Sequence, residues 1–286
     1  MHGKTVLITG ATQGIGKQSA IALGAMGAKL VLVCRNEQKA RASIEDIERE
    51  GKCKGVELIV ADLSSMAEVR RAAQEFLAKH DRLDVLLNNA GVLVTSRKTT
   101  VDGLETTFAT NHLAYFLMTE LLLPALKKTD HARIVNVASH AHKRAKAIRF
   151  DDLQFEKNYS TFDAYSHSKL CNIAFTYELA RRLQGSGVTA NCLHPGVVAT
   201  GFGQTYGGAM SWLIKIAHVF MIDPKKGAET SVYLASSKDV EGVTGKYYDK
   251  CKAVPSTKVS YDQAAAKRLW EVSEALVSQH TKATAA

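Results

Sequence analysis

Tyr165 and Lys169 stand four residues apart in Tyr165-Ser-His-Ser-Lys169, at the head of a helical run read over Lys169–Gln184. That spacing puts a phenol and an ammonium on one helix face. A free tyrosine titrates near 10 and is a poor acid–base catalyst at neutral pH. A neighbouring cation lowers that value, so the pair suits moving a proton on or off an oxygen atom. Ser139 directly follows the apolar run Arg133-Ile-Val-Asn-Val-Ala138. If that run is a strand, the serine hydroxyl sits at a sheet carboxyl end and can bond the same oxygen. A Tyr-x-x-x-Lys pair by itself is usually incidental, so it has to be weighed with what surrounds it.

The second chemical signal is Thr9-Gly10-Ala-Thr12-Gln13-Gly14-Ile15-Gly16, between the first strand-like run and the first helix-like run. Gly10 permits a tight turn, Gly14 lets backbone approach a pyrophosphate, and Gly16 lets helix and sheet pack closely. The helix N-terminus adds N–H donors and a positive dipole end. This is a dinucleotide loop, and with the tyrosine and serine it points to hydride transfer between an alcohol or carbonyl and a nicotinamide. At the end of the second strand, where an acidic residue would hold an adenosine ribose, Cys34-Arg35-Asn36 stands instead. A carboxylate repels a 2′-phosphate, whereas Arg35 can pair with one, so the expected cofactor is NADP(H). Lys17 is either a further cofactor contact or an ordinary surface lysine.

The elements that must position these groups alternate along the chain. Strand-like runs are read at 4–9, 29–34, 56–61, 84–88, 133–138 and 188–193, with a weaker one at 245–249. Helical patterns lie between them at 14–27, 38–50, 66–79, 104–126 and 169–184. Continuous Val/Ile/Leu runs flanked by helices are strands buried on both faces. Right-handed crossovers then give an α/β, Rossmann-type, doubly wound parallel sheet of about seven strands with helices on both faces. No repeat or linker interrupts it, so 1–286 reads as a single domain. Its parts are a cofactor-binding portion over 3–138, a catalytic and substrate portion over 139–250, and a C-terminal helix over 263–279. In that helix Ala264, Leu269, Trp270, Leu276 and Val277 are spaced for packing.

The chain has 286 residues and a net charge of +9, but its basic residues are scattered. The densest run, His142-Lys143-Arg144-Ala145-Lys146, is short and has no interleaved aromatics, so no nucleic-acid partner is expected. Five cysteines without paired spacing read as reduced thiols in a cytoplasmic protein. No signal peptide is expected, since His2 leads directly into a strand-like run. The stretch Met210–Ile222 carries Lys215 and His218 and is too short to span a bilayer, so no transmembrane segment is expected.

Together these motifs resemble the short-chain dehydrogenase/reductase family over residues 3 to 250. The resemblance implies a catalytic tetrad of Asn111, Ser139, Tyr165 and Lys169. It implies that Asp62-Leu63 holds the adenine and that Asn88-Asn89-Ala90-Gly91 lines the cofactor site. It also implies that Pro195-Gly196-Val197-Val198-Ala199-Thr200 grips the nicotinamide carboxamide, through Val198 backbone and the Thr200 hydroxyl. Tyr165 and Lys169 themselves are expected against the cofactor. Within the family, Cys34-Arg35-Asn36, Phe150-Asp151-Asp152-Leu153, Tyr165-Ser-His-Ser-Lys-Leu170 and Glu178-Leu-Ala-Arg-Arg-Leu183 are most similar to the retinol dehydrogenase group. That group acts on long apolar alcohols and aldehydes with NADP(H). Its vertebrate members often carry an N-terminal membrane anchor, which is not expected here.

Gly201–Asp223 reads as irregular. Its four glycines between 201 and 208 suit a hinge, and the apolar stretch after them is either ordinary core or a substrate lid bearing Phe202, Trp212 and Phe220. The lid's outer face would then meet a membrane or a partner subunit. No metal is expected: His140, His142 and His167 read as exposed positions, and His112 as packing. Cys171 and Cys192 read as small buried residues. Asn111 either kinks its helix or serves the tetrad through a water chain to Lys169. Two rival readings remain, a light-dependent reductase similar to protochlorophyllide reductases and a non-catalytic nucleotide sensor on the same fold.

Overall fold

The computed structural model describes residues 1–196 and 223–279. β1 (Thr5–Thr9) leads into α1 (Gly14–Ala25), β2 (Lys29–Cys34) into α2 (Glu37–Gly51), and β3 (Glu57–Val60) into α3 (Met66–Lys79). β4 (Val85–Asn88) is followed by the short α4 (Thr106–Phe108), a π turn over Ala109–Leu113, and α5 (Ala114–Lys127). β5 (Arg133–Val137), α6 (Thr161–Arg182), β6 (Thr189–His194), α7 (Pro224–Ser236), β7 (Tyr247–Asp249), β8 (Lys252–Ala253) and α8 (Gln263–Gln279) complete the described chain. The sheet order is β3-β2-β1-β4-β5-β6-β7-β8. The first seven strands are parallel, and β8 adds a two-residue antiparallel edge. Eight strands thus replace the seven expected, because Lys250 and Cys251, both at positive φ, turn β7 back on itself.

The strands are apolar on both sides because both sides are covered. α1, α2 and α7 pack one face around Val6, Ile8, Leu23, Leu32 and Leu234. α3, α5 and α6 pack the other around Leu7, Phe76, Phe116, Leu170 and Phe175, with Trp270 of α8 closing over them. Ala264 of α8 is exposed, and Ala266 takes the inward position instead. α6 starts at Thr161, eight residues before the run read from sequence. Ser160 caps it by accepting from Asp163 N, so Tyr165 lies inside the helix and not at its edge. No helix among the described residues is long and apolar enough to cross a membrane.

The order in which strands are added reverses between β1 and β4, parallel neighbours from which the sheet grows outward in opposite directions. Ligands of open α/β sheets bind in the crevice beyond the carboxyl ends at such a point. The glycine loop leaves β1 there, and Asn89-Ala90-Gly91 leaves β4 beside it.

Candidate active site

The glycine loop is shaped by contacts that exclude a side chain. Gly10 has φ +72 and Gly14 has φ +58, a conformation costly for other residues. A Cβ on Gly10 would lie 2.8 Å from Ala90 Cα. A Cβ on Gly16 would strike the Gly10 carbonyl oxygen and lie 2.5 Å from Asn89 Nδ2. Asn89 explains this closeness: Nδ2 donates to Thr9 O at 2.9 Å and Gly10 O at 3.0 Å. The Asn89 and Ala90 amides both donate to Thr9 Oγ1. Gln13 stands at the N-cap of α1 with no side-chain bond, and no acidic residue offsets the positive helix end. Thr12 and Ile15 flank it half-buried. A backbone cradle with free amides and a positive end fits the pyrophosphate of a dinucleotide.

Arg35 and Asp62 meet at adjacent strand ends, 3.9 Å apart and both open to solvent. Leu63 is buried beneath them, and Asp62 Oδ1 accepts from Ser64 N. Asn36 caps α2 by accepting from Lys39 N, and Lys17 pairs with Asp46 of α2 at 2.6 Å, so both side chains are engaged within the protein.

Ser139, Tyr165, Lys169 and Asn111 converge across the crevice. Ser139 lies just past β5 and caps the short turn over His140–Arg144, its Oγ accepting from Ala141 N at 3.1 Å. Tyr165 shares a hydrogen bond with the Ser139 side chain. Lys169 Nζ lies 5.7 Å from the centre of the Tyr165 ring and 5.6 Å from that of Tyr115, and donates to Val137 O at 2.9 Å. Asn111 sits in the π turn, a form often found at functional sites. Its Nδ2 donates to Val92 O and to Ser168 Oγ, both at 3.0 Å, and its Oδ1 accepts from Val92 N at 2.7 Å. Ser168 in turn donates to Tyr165 O. Asn111 therefore both marks a helix irregularity and ties the loop after β4 to the turn of α6 carrying Tyr165.

Electrostatics differ from the sequence expectation. Burial pushes the Tyr165 phenol up to about 12, opposed only in part by the Ser139 bond. Burial pushes Lys169 down to about 7. A desolvated lysine shifted toward neutrality carries less charge with which to lower the phenol, and desolvation is the largest influence on both groups. The phenol is thus held protonated and ready to donate.

Two polar groups here were not anticipated. Glu105 is fully buried and caps the helix leading to Asn111, accepting from Thr107 N and Phe108 N. Tyr115, four residues after Asn111, donates to Ala90 O at 2.8 Å and so fixes the loop after β4. Pro195 and Gly196 (φ +88) leave β6 at the same rim. Val198, Thr200, Phe202, Trp212 and Phe220 lie outside the described residues.

The histidines are placed differently from their sequence reading. His142 and His167 are buried, not exposed: His167 Nε2 accepts from Arg149 N, with Phe108 and Phe155 rings around it. His112 is buried as packing, bonded to Ser273 Oγ, and burial holds it down at about 3. His140 meets His194 and Asp249, with ligand atoms within 4.8 Å of one another. The two imidazoles stack at 3.8 Å with planes 21° apart, so their in-plane lone pairs run side by side instead of converging on one ion. His194 Nδ1 is also taken by the His140 amide. The cluster does not have the form of a metal site. Cys171 and Cys192 are buried, as expected.

Residues 4–209 match the short chain dehydrogenase family. The chain belongs to that family. Its curated relatives place it in the retinol dehydrogenase group. It is 44% identical to human retinol dehydrogenase 14 over 97% of this chain and 87% of that protein. It is 42% identical to human retinol dehydrogenase 13 over 96% of this chain and 85% of that one. Among solved structures, an uncharacterized protein from Mycobacterium paratuberculosis superposes with TM-score 0.78 at 32% identity, covering 97% of this chain and 94% of that one. Pseudomonas aeruginosa RhlG, solved with NADP, superposes with TM-score 0.69 at 25% identity over 86% and 94% of the two chains. The protein is therefore an oxidoreductase of a family that uses NAD(P)(H).

Proposed function

We propose that this single-domain, cytoplasmic protein is an NADP(H)-dependent dehydrogenase/reductase that interconverts an apolar alcohol and its aldehyde or ketone, retinoid-like or long-chain. One arrangement carries the reading: the buried Tyr165 phenol, paired with Ser139 and with Lys169 over its ring, at the switch point of the sheet. Gly10, Gly14 and Gly16 would hold the pyrophosphate, Asp62 the adenine, and Arg35 a 2′-phosphate. When bound, the nicotinamide supplies or accepts the hydride. Ser139 then bonds the substrate oxygen and Tyr165 gives its proton to that oxygen during reduction. In oxidation the same phenol must lose its proton, which the elevated value opposes unless further positive charge is brought near. Lys169 holds the nicotinamide ribose hydroxyls in this reading, turning from Val137 O to do so. Asn111 keeps Tyr165 and the loop after β4 in register. Substrate preference is assigned to the segment bearing Phe202, Trp212 and Phe220, whose composition suits a hydrocarbon pocket.

The test is turnover of an aldehyde series and retinal with NADPH and with NADH. Catalytic efficiency should climb with chain length, and NADPH should be favoured. A flat chain-length profile removes the apolar pocket, and absence of any cofactor-dependent turnover removes the reading.

A further inference from the structure

His142 is a buried imidazole that the proposed chemistry does not use, yet it is bonded directly to Ser139. Its Nδ1 lies 2.6 Å from Ser139 O, and its Nε2 accepts from Thr257 N at 3.2 Å. A carbonyl only accepts and a backbone amide only donates, so Nδ1 must carry the proton and Nε2 must be bare. Only the neutral Nδ1–H tautomer satisfies both partners. Burial lowers the affinity of His142 for a second proton, which agrees with that state. The ring also packs edge-on against Tyr247 of β7 at 5.1 Å.

The far side of this bridge returns to the catalytic helix. Thr257 O accepts from Ser260 N and Oγ, and Ser256 Oγ bonds both Ser260 Oγ and Tyr177 OH of α6. A closed circuit thus runs from Ser139 through His142, Thr257, Ser256 and Tyr177 to the helix that carries Tyr165. Ser139 is otherwise a single residue at the end of a strand, fixed by the short turn over 139–142.

We propose that His142 is a positioning residue that clamps Ser139 to the segment after β8, so that the Ser139 hydroxyl stays aligned with Tyr165. The inference rests on the functional reading above. Its effect passes through Ser139 and not through cofactor or substrate binding. Loosening the clamp lowers kcat, because a misplacement of roughly 1 Å costs on the order of a hundredfold.

The test compares His142→Phe, which keeps an aromatic ring and loses both bonds, with Thr257→Pro, which removes the amide donor together with a side chain that takes no part in the clamp. Thr257 has φ −66 and ψ 148, which a proline adopts without strain. With an aldehyde the wild type reduces, His142→Phe should lower kcat about tenfold or more and Thr257→Pro severalfold. KM and NADPH affinity should stay within about twofold. In a Ser139→Ala background, His142→Phe should cost nothing further, because the clamp then has nothing to aim. Wild-type kcat in His142→Phe, or an equal loss with and without Ser139, would overturn the proposal. Nitrogen NMR gives a reading independent of turnover: His142 should show a protonated Nδ1 and a bare Nε2, and the opposite tautomer would also overturn it. A Ser139→Ala variant with full turnover would instead strike the functional reading, so the two failures are separable.

Discussion

Arg35 offers a quantitative test of cofactor choice. Its side chain is 73% exposed and its partner is Asp62, 3.9 Å away. So open a pair contributes about 0.2–1 kcal/mol, which is what Arg35 forgoes in turning to a phosphate. A charge-assisted arginine–phosphate contact contributes roughly 1.5–3 kcal/mol. The central difference of roughly 1–2.5 kcal/mol corresponds to about a five- to seventyfold preference for NADPH over NADH. Arg35→Ala should remove most of that ratio by raising the NADPH Kd while leaving the NADH Kd nearly fixed. Because the site is exposed, the preference should shrink when ionic strength rises from about 0.05 to about 0.5 M. Asn36→Asp should narrow it further, since a carboxylate there keeps the cap on Lys39 N and adds repulsion. Cys34→Asp is a poor probe, because Cys34 is buried and the variant would bury a carboxylate. Fluorescence titration of both cofactors into wild type and variants measures all of this. Equal binding of the two cofactors by the wild type, or a parallel loss of both in Arg35→Ala, would refute the reasoning.

Gly16→Ala should lower stability by roughly 1–3 kcal/mol and weaken cofactor binding, because its Cβ meets the Gly10 carbonyl and Asn89 Nδ2; thermal melts and titration check it. Asn111→Ala removes two hydrogen bonds to Val92 in the loop after β4 and one to Ser168 of α6, and should cut kcat by tenfold or more and speed amide exchange at Val92. Lys169→Met should abolish turnover yet raise Tm. The folded Lys169 value of about 7 lies below its ordinary 10.5, so the unfolded chain binds the proton more tightly in between. The Tm advantage of the variant should therefore be small above pH 10.5 and grow as pH falls toward 7; a constant difference across that range would contradict the lowered value.

The parts legible in sequence were those set by local pattern. β2, α3 and α8 fall where their periodicity puts them, and the glycine loop occupies the turn its three glycines demand. Apolar periodicity alone leaves out the start of α6, although Ser160 and Asp163 form a capping signal, and leaves out α7, although Asp223-Pro224 announces a helix start. Other features depend on what the fold brings near and leave no local mark. His142 and His167 are polar residues on polar stretches, and only packing against Tyr247 or Phe155 buries them. The upward shift of Tyr165 depends on burial that a four-residue spacing cannot convey, so spacing alone treats the pair as if solvated. The polar chain Thr119–Asn88–Asn136–Thr176 across β4 and β5 likewise joins residues far apart in the chain.

The central claim is that Tyr165 gives the proton, and Tyr165→Phe tests it most directly. The variant keeps the ring under Lys169 and leaves the glycine loop untouched, so NADPH should bind with near wild-type affinity. Turnover of the best aldehyde should fall on the order of 10²- to 10⁴-fold. Intact NADPH binding with that loss is the result the account predicts; a variant that keeps about a tenth of the wild-type rate or more contradicts it.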